Sequence, residues 1–227
     1  METFRKVGTV YRKRGPRGVV EAVRGRFGLQ PDFQAKEGLA ERLALLDPAV
    51  PADTRSLIDV GCNIGRITSH FASRGIFSLG IDIGQGQIDR AVKLHRGQPN
   101  LAFAVMNLTP DNIDTVPQVD CLLILSVHHN WVQLYGPDGA GEMLRALCGR
   151  ARKSVVYEAP ARGRRYGEEH RPDFIDNDEA SVTAYHEAYL AKHVADDFSR
   201  VVALGKSPCW GEGTVEPYRY SWGLYRD

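Results

Sequence analysis

The sequence predicts an α/β fold, in which helices cover both faces of a mostly parallel sheet. From residue 56 to residue 158, short apolar segments alternate with segments of helical periodicity. Strands that are apolar along their whole length are typical of parallel sheets covered on both faces. The length of 227 residues allows one such domain with additional terminal or inserted segments.

The strands and helices of this domain follow from the residue pattern. After a short apolar strand and a turn, Ile67, His70 and Phe71 recur at helical spacing. The same reasoning predicts strands at 56–60, 76–81, 101–105, 119–125, 154–158, 201–204 and 218–225, the last two as a hairpin. The predicted helices are 18–27, 34–46, 66–74, 87–96, 140–150 and 178–196.

The chain divides into a basic N-terminal helical segment, residues 1–50, and a domain at residues 51–227. Residues 1–28 carry eight Lys and Arg against two Glu, whereas the rest of the chain carries 21 basic and 26 acidic side chains. Such a segment can contact nucleic acid or an anionic surface, or it can pack against its own acidic domain. Residues 161–178 are polar and interrupt the alternation, so we predict an inserted loop near the active site.

Composition excludes several classes of protein. No segment stays apolar for the ~18 residues of a membrane span, and no apolar leader follows Met1. The four cysteines, Cys62, Cys121, Cys148 and Cys209, lie far apart, which fits neither a zinc cluster nor a disulfide framework. We therefore expect a cytoplasmic protein without a transmembrane segment.

The turn after the first strand indicates a ligand site. Aligned on Gly61, a dinucleotide fingerprint would require glycine at Asn63 and at Arg66, and no P-loop is present. Asp82 stands at the end of the second strand, where a carboxylate can accept hydrogen bonds from a ribose diol. A glycine turn without a phosphate-binding pattern, together with this acid, favours a nucleoside ligand that carries no phosphate.

These segments resemble a known family. Residues 57–65 resemble motif I of the class I S-adenosylmethionine-dependent methyltransferases, residues 80–83 resemble the acidic motif of their second strand, and residues 120–126 resemble their fourth-strand motif. The resemblance covers about residues 50–160. It implies a Rossmann-like sheet of seven strands, mostly parallel with an antiparallel last strand, and S-adenosylmethionine as the cofactor.

The resemblance also implies which residues contact the cofactor. The glycine turn would approach its amino-acid part, Asp82 would hold the ribose, and the end of the third strand would flank the adenine. Asn107 stands where many members have aspartate, and its amide oxygen can still accept a hydrogen bond from the adenine amino group. The implied cofactor residues are Asp59, Gly61, Cys62, Asn63, Gly65, Asp82, Ile83, Met106, Asn107, Leu108 and Ser126.

Three side chains are candidates for the chemistry of methyl transfer. An alcohol acceptor needs a base, and histidine has a suitable pKa. His129, which follows the fourth strand, is the preferred base, and its neighbour His128 is more readily structural. Both histidines can also serve only to orient the loop. Glu158, at the end of the fifth strand, can bind substrate or share the proton. A metal site formed by these residues with Glu168, Glu169 and His170 matches no defined spacing, so we expect no metal.

The inserted loop bears on the substrate class. Its arginines can pair with a phosphate or carboxylate of the substrate, or they can be solvated and offset by nearby acids; they are Arg162, Arg164, Arg165 and Arg171. The leading prediction is O-methylation of a small molecule, a sugar or a glycan. The alternatives are a methyltransferase acting on RNA or a nucleotide, suggested by the basic segment, and a non-catalytic partner subunit that binds the cofactor.

Overall fold

The computed structural model describes residues 38–208 and 218–227. The predicted helix at 18–27, the start of the predicted helix at 34–46 and the basic segment at 1–28 lie outside these ranges.

One sheet organises the described residues. Its seven strands are β1 (Ser56–Val60), β2 (Phe77–Asp82), β3 (Leu101–Val105), β4 (Val119–Leu125), β5 (Ala151–Pro160), β6 (Arg200–Pro208) and β7 (Tyr218–Tyr225). They are arranged in the order β3-β2-β1-β4-β5-β7-β6. Each neighbouring pair from β3 to β5 is parallel, whereas β7 is antiparallel to both β5 and β6. The predicted fold class is confirmed.

Five α-helices lie within the described ranges. They are α1 (Leu39–Ala49), α2 (Arg66–Ser73), α3 (Gln85–Leu94), α4 (His128–Cys148) and α5 (Glu179–His193). Short 3₁₀ helices occur at Ile113–Thr115, Gly163–Tyr166 and Ala195–Asp197. None of the helices described at 38–208 is both long and apolar enough to cross a membrane.

Two helices differ from the sequence-based expectation. We expected the second helix to end before Pro48, but α1 continues to Ala49, because Leu46 and Ala49 are buried against the domain. We expected a helix to begin at 140, but this helix, α4, begins at His128. Gly136, with φ 73° and ψ 173°, breaks α4 into two parts. Its short first part was not predicted because burial stabilises it, rather than a long periodic pattern.

The core consists of two layers, one on each face of the sheet. Every residue of β4 is buried. Cys121, Leu123 and Leu125 pack in the layer that contains α1 and α2, whereas Leu122 and Ile124 pack in the layer that contains α4 and α5. Burial of each such side chain stabilises the fold by about 1.5–3 kcal/mol, and the apolar run of β4 is explained by its two covered faces.

The parallel strands place their loops together. The carboxyl ends of β1, β2, β4 and β5 lie at one edge of the sheet, where the segments 61–65, 83–84, 126–127 and 161–178 follow them. Ligands of open parallel sheets bind outside this edge.

Candidate active site

The loop after β1 has a backbone conformation that requires small residues. Gly61, Asn63 and Gly65 have φ angles of 71°, 53° and 74°. A Cβ atom on Gly61 would overlap Val127, and one on Gly65 would overlap the Phe103 ring. Glycine is therefore needed at both positions for conformation and for close packing. The contact with Val127 also places this loop directly beside the start of α4.

Asp82 organises the loop at 61–65 and the turn at 83–84. Its Oδ2 accepts a hydrogen bond from the Asn63 backbone N–H (2.9 Å), and its Oδ1 accepts one from the Gly84 N–H (2.8 Å). Each carboxylate oxygen has a second lone pair. The Asp82 side chain is only partly buried, so both oxygens retain capacity for a diol while they hold the loops on either side.

Asp59 and Cys62 lie beneath the loop in the interior. The Asp59 carboxylate accepts a hydrogen bond from the Thr68 hydroxyl (2.6 Å), and burial raises the pKa of Asp59 to about 6. Cys62 is fully buried, and its sulfur lies where a Cβ on Gly80 would be. Burial raises the pKa of the Cys62 thiol, so it remains protonated. Both side chains therefore support the loop from below.

The next residues along this edge provide apolar surface. Ile83, which directly follows Asp82, is 67% exposed, and Val105 at the end of β3 is also exposed. Met106 is partly buried and Leu108 buried, whereas Asn107 between them is exposed. Its backbone oxygen accepts a hydrogen bond from the Asn112 amide (2.9 Å). An exposed apolar side chain beside a carboxylate is a suitable surface for a ring attached to a ribose.

Glu158 is the centre of a buried ionic cluster. Arg42 of α1 donates two hydrogen bonds to its carboxylate, both 2.8 Å long. The Ser126 hydroxyl donates a third (2.6 Å), and the Arg219 Nε of β7 lies 3.6 Å from Oε1. Ser126 has a φ of 57°, and its N–H donates to the Glu158 backbone oxygen. The carboxylate therefore anchors α1, β4 and β7 to the end of β5.

Arg42 and Arg219 were missed by sequence reasoning. Arg42 lies 116 positions from its partner in the chain, and in sequence it resembles any helical arginine. The one local signal is the position of Arg219 within an otherwise aromatic strand, Tyr218-Arg219-Tyr220.

The two tandem histidines have different environments. His128 is buried, and its Nε2 and Nδ1 lie 2.9 Å from the Tyr189 hydroxyl and 3.1 Å from the Tyr157 hydroxyl. His129 is 9% exposed, and its Nδ1 has no hydrogen-bond partner among residues 38–208 and 218–227. Burial, with Arg165 and Arg219 nearby, lowers the pKa of His129 to about 3. His128 is thus fully engaged in the fold, whereas His129 keeps a free polar atom.

His128 belongs to a chain of buried hydrogen bonds with one consistent direction. Tyr189 donates to the Pro137 carbonyl (2.7 Å), so it accepts from the Nε2–H of His128. Nδ1 of His128 must then accept a hydrogen bond from the Tyr157 hydroxyl, so the His128 ring is neutral. In order, the chain runs from Tyr166 through His186, Tyr157, His128 and Tyr189 to Pro137. It connects the 3₁₀ helix of the insert to the break in α4.

The insert at 161–178 packs beside His129. The Gln133 amide, one turn after His129 on α4, donates a hydrogen bond to the Arg165 backbone oxygen (2.6 Å). The Tyr166 ring lies edge-to-face with the His129 ring, with centroids 6.1 Å apart. The side chains of Arg164, Arg165 and Arg171 are exposed. Within the described ranges, no group of His, Cys, Asp or Glu has the arrangement of a metal site.

Comparisons with known proteins identify the domain. Residues 58–153 match the family model described as a methyltransferase domain. No curated protein matches the chain.

Solved structures share the fold. The bifunctional kinase-methyltransferase WbdD has a TM-score of 0.63 and 20% identity, over 86% of this chain and 42% of its own, so this chain spans less than half of WbdD. The N-terminal domain of EvdMO1 with SAH bound has a TM-score of 0.56 and 14% identity, over 85% of this chain and 82% of its own. Magnesium protoporphyrin IX methyltransferase from Synechocystis PCC 6803 with bound SAM has a TM-score of 0.53 and 16% identity, over 83% of this chain and 78% of its own. Residues 58–153 therefore match a methyltransferase domain, and the described residues have the fold of these S-adenosylmethionine-dependent methyltransferases.

Proposed function

We propose that this chain transfers the methyl group of S-adenosylmethionine to an oxygen of a small molecule, a sugar or a glycan. The observation that carries this proposal is His129. It is neutral, it has an unpaired buried ring nitrogen, and it lies two residues after Val127, which contacts the cofactor loop at Gly61. A neutral imidazole at this place can accept the proton of a hydroxyl group.

The residues of the cofactor loop fit S-adenosylmethionine. The close packing of Gly61 against Val127 and of Gly65 against Phe103 leaves no room for side chains, so glycine keeps the tight loop that the cofactor would approach. Asp82 would accept hydrogen bonds from the ribose, and Ile83 would cover one face of the adenine. The remaining contacts with the cofactor would come from Met106, Asn107, Leu108 and Ser126. When bound, the cofactor supplies an electrophilic methyl group on a sulfonium.

The remaining candidates have supporting roles in this proposal. His128 would hold the start of α4, since both of its ring nitrogens are engaged. Glu158 would anchor the acceptor side rather than take the proton, since Arg42 and Ser126 already bind its oxygens. Methyl transfer itself then depends on alignment of the acceptor, with His129 receiving the proton.

Relatives of the same fold support a small acceptor. A structure of the EvdMO1 domain was determined in the presence of SAH and D-fucose, and another relative is named for magnesium protoporphyrin IX. The alternative acceptors, RNA or a nucleotide, rest on the basic segment at 1–28, which lies outside the described ranges.

One set of assays tests the function. The full chain is incubated with S-adenosylmethionine and four acceptor groups: sugars, phenols, nucleotides and RNA. Release of SAH and the mass of one added methyl group on an oxygen of a sugar or phenol would support the proposal. A product only on RNA or a nucleotide would replace it with the alternative. SAH binding without turnover on any acceptor would indicate a non-catalytic subunit.

A further inference from the structure

We propose that the acceptor carries an oxyanion group, a phosphate or a carboxylate, which Arg219 and Arg165 hold beside His129. This inference rests on the proposed function and defines the class of its substrate.

The first observation is the incomplete pairing of Arg219. Arg42 and Arg219 both approach the single carboxylate of Glu158, but Arg42 forms the two short hydrogen bonds. Nε of Arg219 lies 3.6 Å from Oε1, which Ser126 and Arg42 already occupy. Within residues 38–208 and 218–227, no hydrogen bond from the Arg219 guanidinium is found. A guanidinium has five N–H donors, so Arg219 has unused capacity.

The second observation is that Arg219 is enclosed but reachable. Its side chain is 11% exposed, and a buried charge that is poorly paired costs free energy unless a ligand compensates it. Glu158 is fully buried and already receives two short hydrogen bonds from Arg42. Arg219 is therefore a largely buried cation with incomplete pairing, and its side chain is not fully enclosed.

The third observation is the position of Arg165. Its backbone oxygen is bound by Gln133, one helical turn beyond His129, and the adjacent Tyr166 ring packs on the His129 ring. Arg219 lies opposite Pro160 at the end of β5, where the insert begins. Arg165 and Arg219, which belong to separate elements, thus both lie close enough to His129 to lower its pKa.

An oxyanion can pair with both guanidinium groups, which leaves the unpaired His129 nitrogen to accept the hydroxyl proton. The planar fork of arginine matches the geometry of carboxylate and phosphate oxygens. A negative charge between the arginines would also oppose the effect that they have on His129 and make it a stronger base. The negative charge of the bound acceptor would then help His129 to remove the proton from the acceptor's own hydroxyl group.

Matched ligands test the charge requirement. Calorimetry on the SAH-loaded chain, at constant ionic strength, compares glucose 1-phosphate with glucose and benzoate with benzamide. We expect binding only of the charged member of at least one pair, and the pair that shows it identifies phosphate or carboxylate as the source of the charge. Equal binding of charged and neutral members, or no binding of either charged ligand to the SAH-loaded chain, would overturn the proposal. A chain that does not bind SAH would instead refute the proposed function.

Variants then locate the site. Loss of a buried charge contact typically weakens binding by about 30-fold or more, which is the effect expected for Arg219→Gln. Arg165→Gln, an exposed position, should weaken it by about 3- to 10-fold, and Arg219→Lys should fall between Arg219→Gln and the wild type. The control Arg152→Gln, exposed at the opposite end of β5, should stay within about twofold. SAH affinity should be unchanged in all variants. If Arg219→Gln does not fold, unchanged anion affinity in Arg165→Gln and Arg219→Lys still overturns the assignment.

Discussion

The proposed cofactor side and the proposed acceptor side of this edge are built in different ways. On the cofactor side, residues 59–65 and 80–84, the hydrogen bonds of Asp82 join residues close in sequence, such as Asn63 and Asp82, 19 positions apart. The packing of this side involves more distant residues, Phe103 and Val127. The acceptor side joins α1, β4, α4, β5, the insert, α5 and β7, with contacts such as Arg42 to Glu158, 116 positions apart, and His128 to Tyr189, 61 apart. The hydrogen bonds of the cofactor side therefore form between neighbouring strands and turns, whereas those of the acceptor side join distant parts of the domain.

The two sides also differ in how strongly their polar side chains affect stability. Asp82 is partly exposed and bound to backbone N–H groups of its own loops. Glu158, His128 and His186 are buried, so each polar atom there must keep its partner. Substitution of the partly exposed Asp82 should therefore change binding with little change in stability, whereas substitutions on the acceptor side should in part change stability.

The largest expected effect is on catalysis at His129. His129→Gln keeps a similar size but removes the proton acceptor, so turnover should fall by about 10²–10⁴-fold while SAH affinity stays unchanged. Initial rates and calorimetry measure the two quantities. The control is Asn130→Ala, its exposed neighbour on α4, which should turn over normally. Turnover of His129→Gln near the wild-type rate would show that the histidine only positions the loop.

The largest expected effect on stability is at Glu158. Glu158→Gln leaves Arg42 and Arg219 buried without a counter-charge, so the free energy of unfolding should fall by about 3–5 kcal/mol. Urea unfolding measures it. Glu179→Gln, which removes an exposed ion pair with Lys206, is the control and should cost less than about 1 kcal/mol. A loss at Glu158 no larger than that of the control would remove the distinction between the two sides.

Asp82 tests the cofactor side. Asp82→Ala removes the acceptors for the ribose and for the Asn63 and Gly84 backbone, so SAH affinity should fall by about 2–4 kcal/mol, or roughly 30- to 1000-fold. Stability should change by only about 1 kcal/mol because the side chain is partly exposed. Asp89→Ala on the exposed face of α3 is the matched control. Equal SAH affinity in Asp82→Ala and the wild type would contradict the assignment of this site.

The smallest expected effect is the change in the free energy of unfolding for each unit of pH, which comes from a buried histidine on the acceptor side. Burial lowers the pKa of His186 to about 3, so its ring stays neutral in the folded state, while the unfolded chain binds a proton near the ordinary value of 6.5. Its contribution to stability is present above pH 6.5 and is lost as the pH falls towards 3, by about 1.4 kcal/mol per pH unit. Urea unfolding at pH 7 and pH 5 should show a smaller pH dependence in His186→Gln than in the wild type. Identical pH dependence would contradict this account of the buried chain.

Much of the sheet was predictable because its strands are marked by local pattern. β1, β3, β4 and β7 begin and end at the predicted residues, since apolar runs bounded by turn residues are a local signal. The start of α4 was not predicted, because its first part spans two turns and depends on burial of Trp131 and Val132. The placement of Glu158 at the end of β5 was predictable, but its pairing with Arg42 and Arg219 was not.

By itself, the sequence determined the order of the strands and helices, the loop at 61–65 and the placement of Asp82 at the end of the second strand. These depend on backbone conformation and on apolar periodicity, which act between residues close in the chain. The tertiary structure alone decided which charges are buried together, why His128 is engaged while His129 is not, and that Arg219 approaches Glu158. The reason is physical: the balance of desolvation and pairing for a buried polar group depends on neighbours that folding brings from distant parts of the chain.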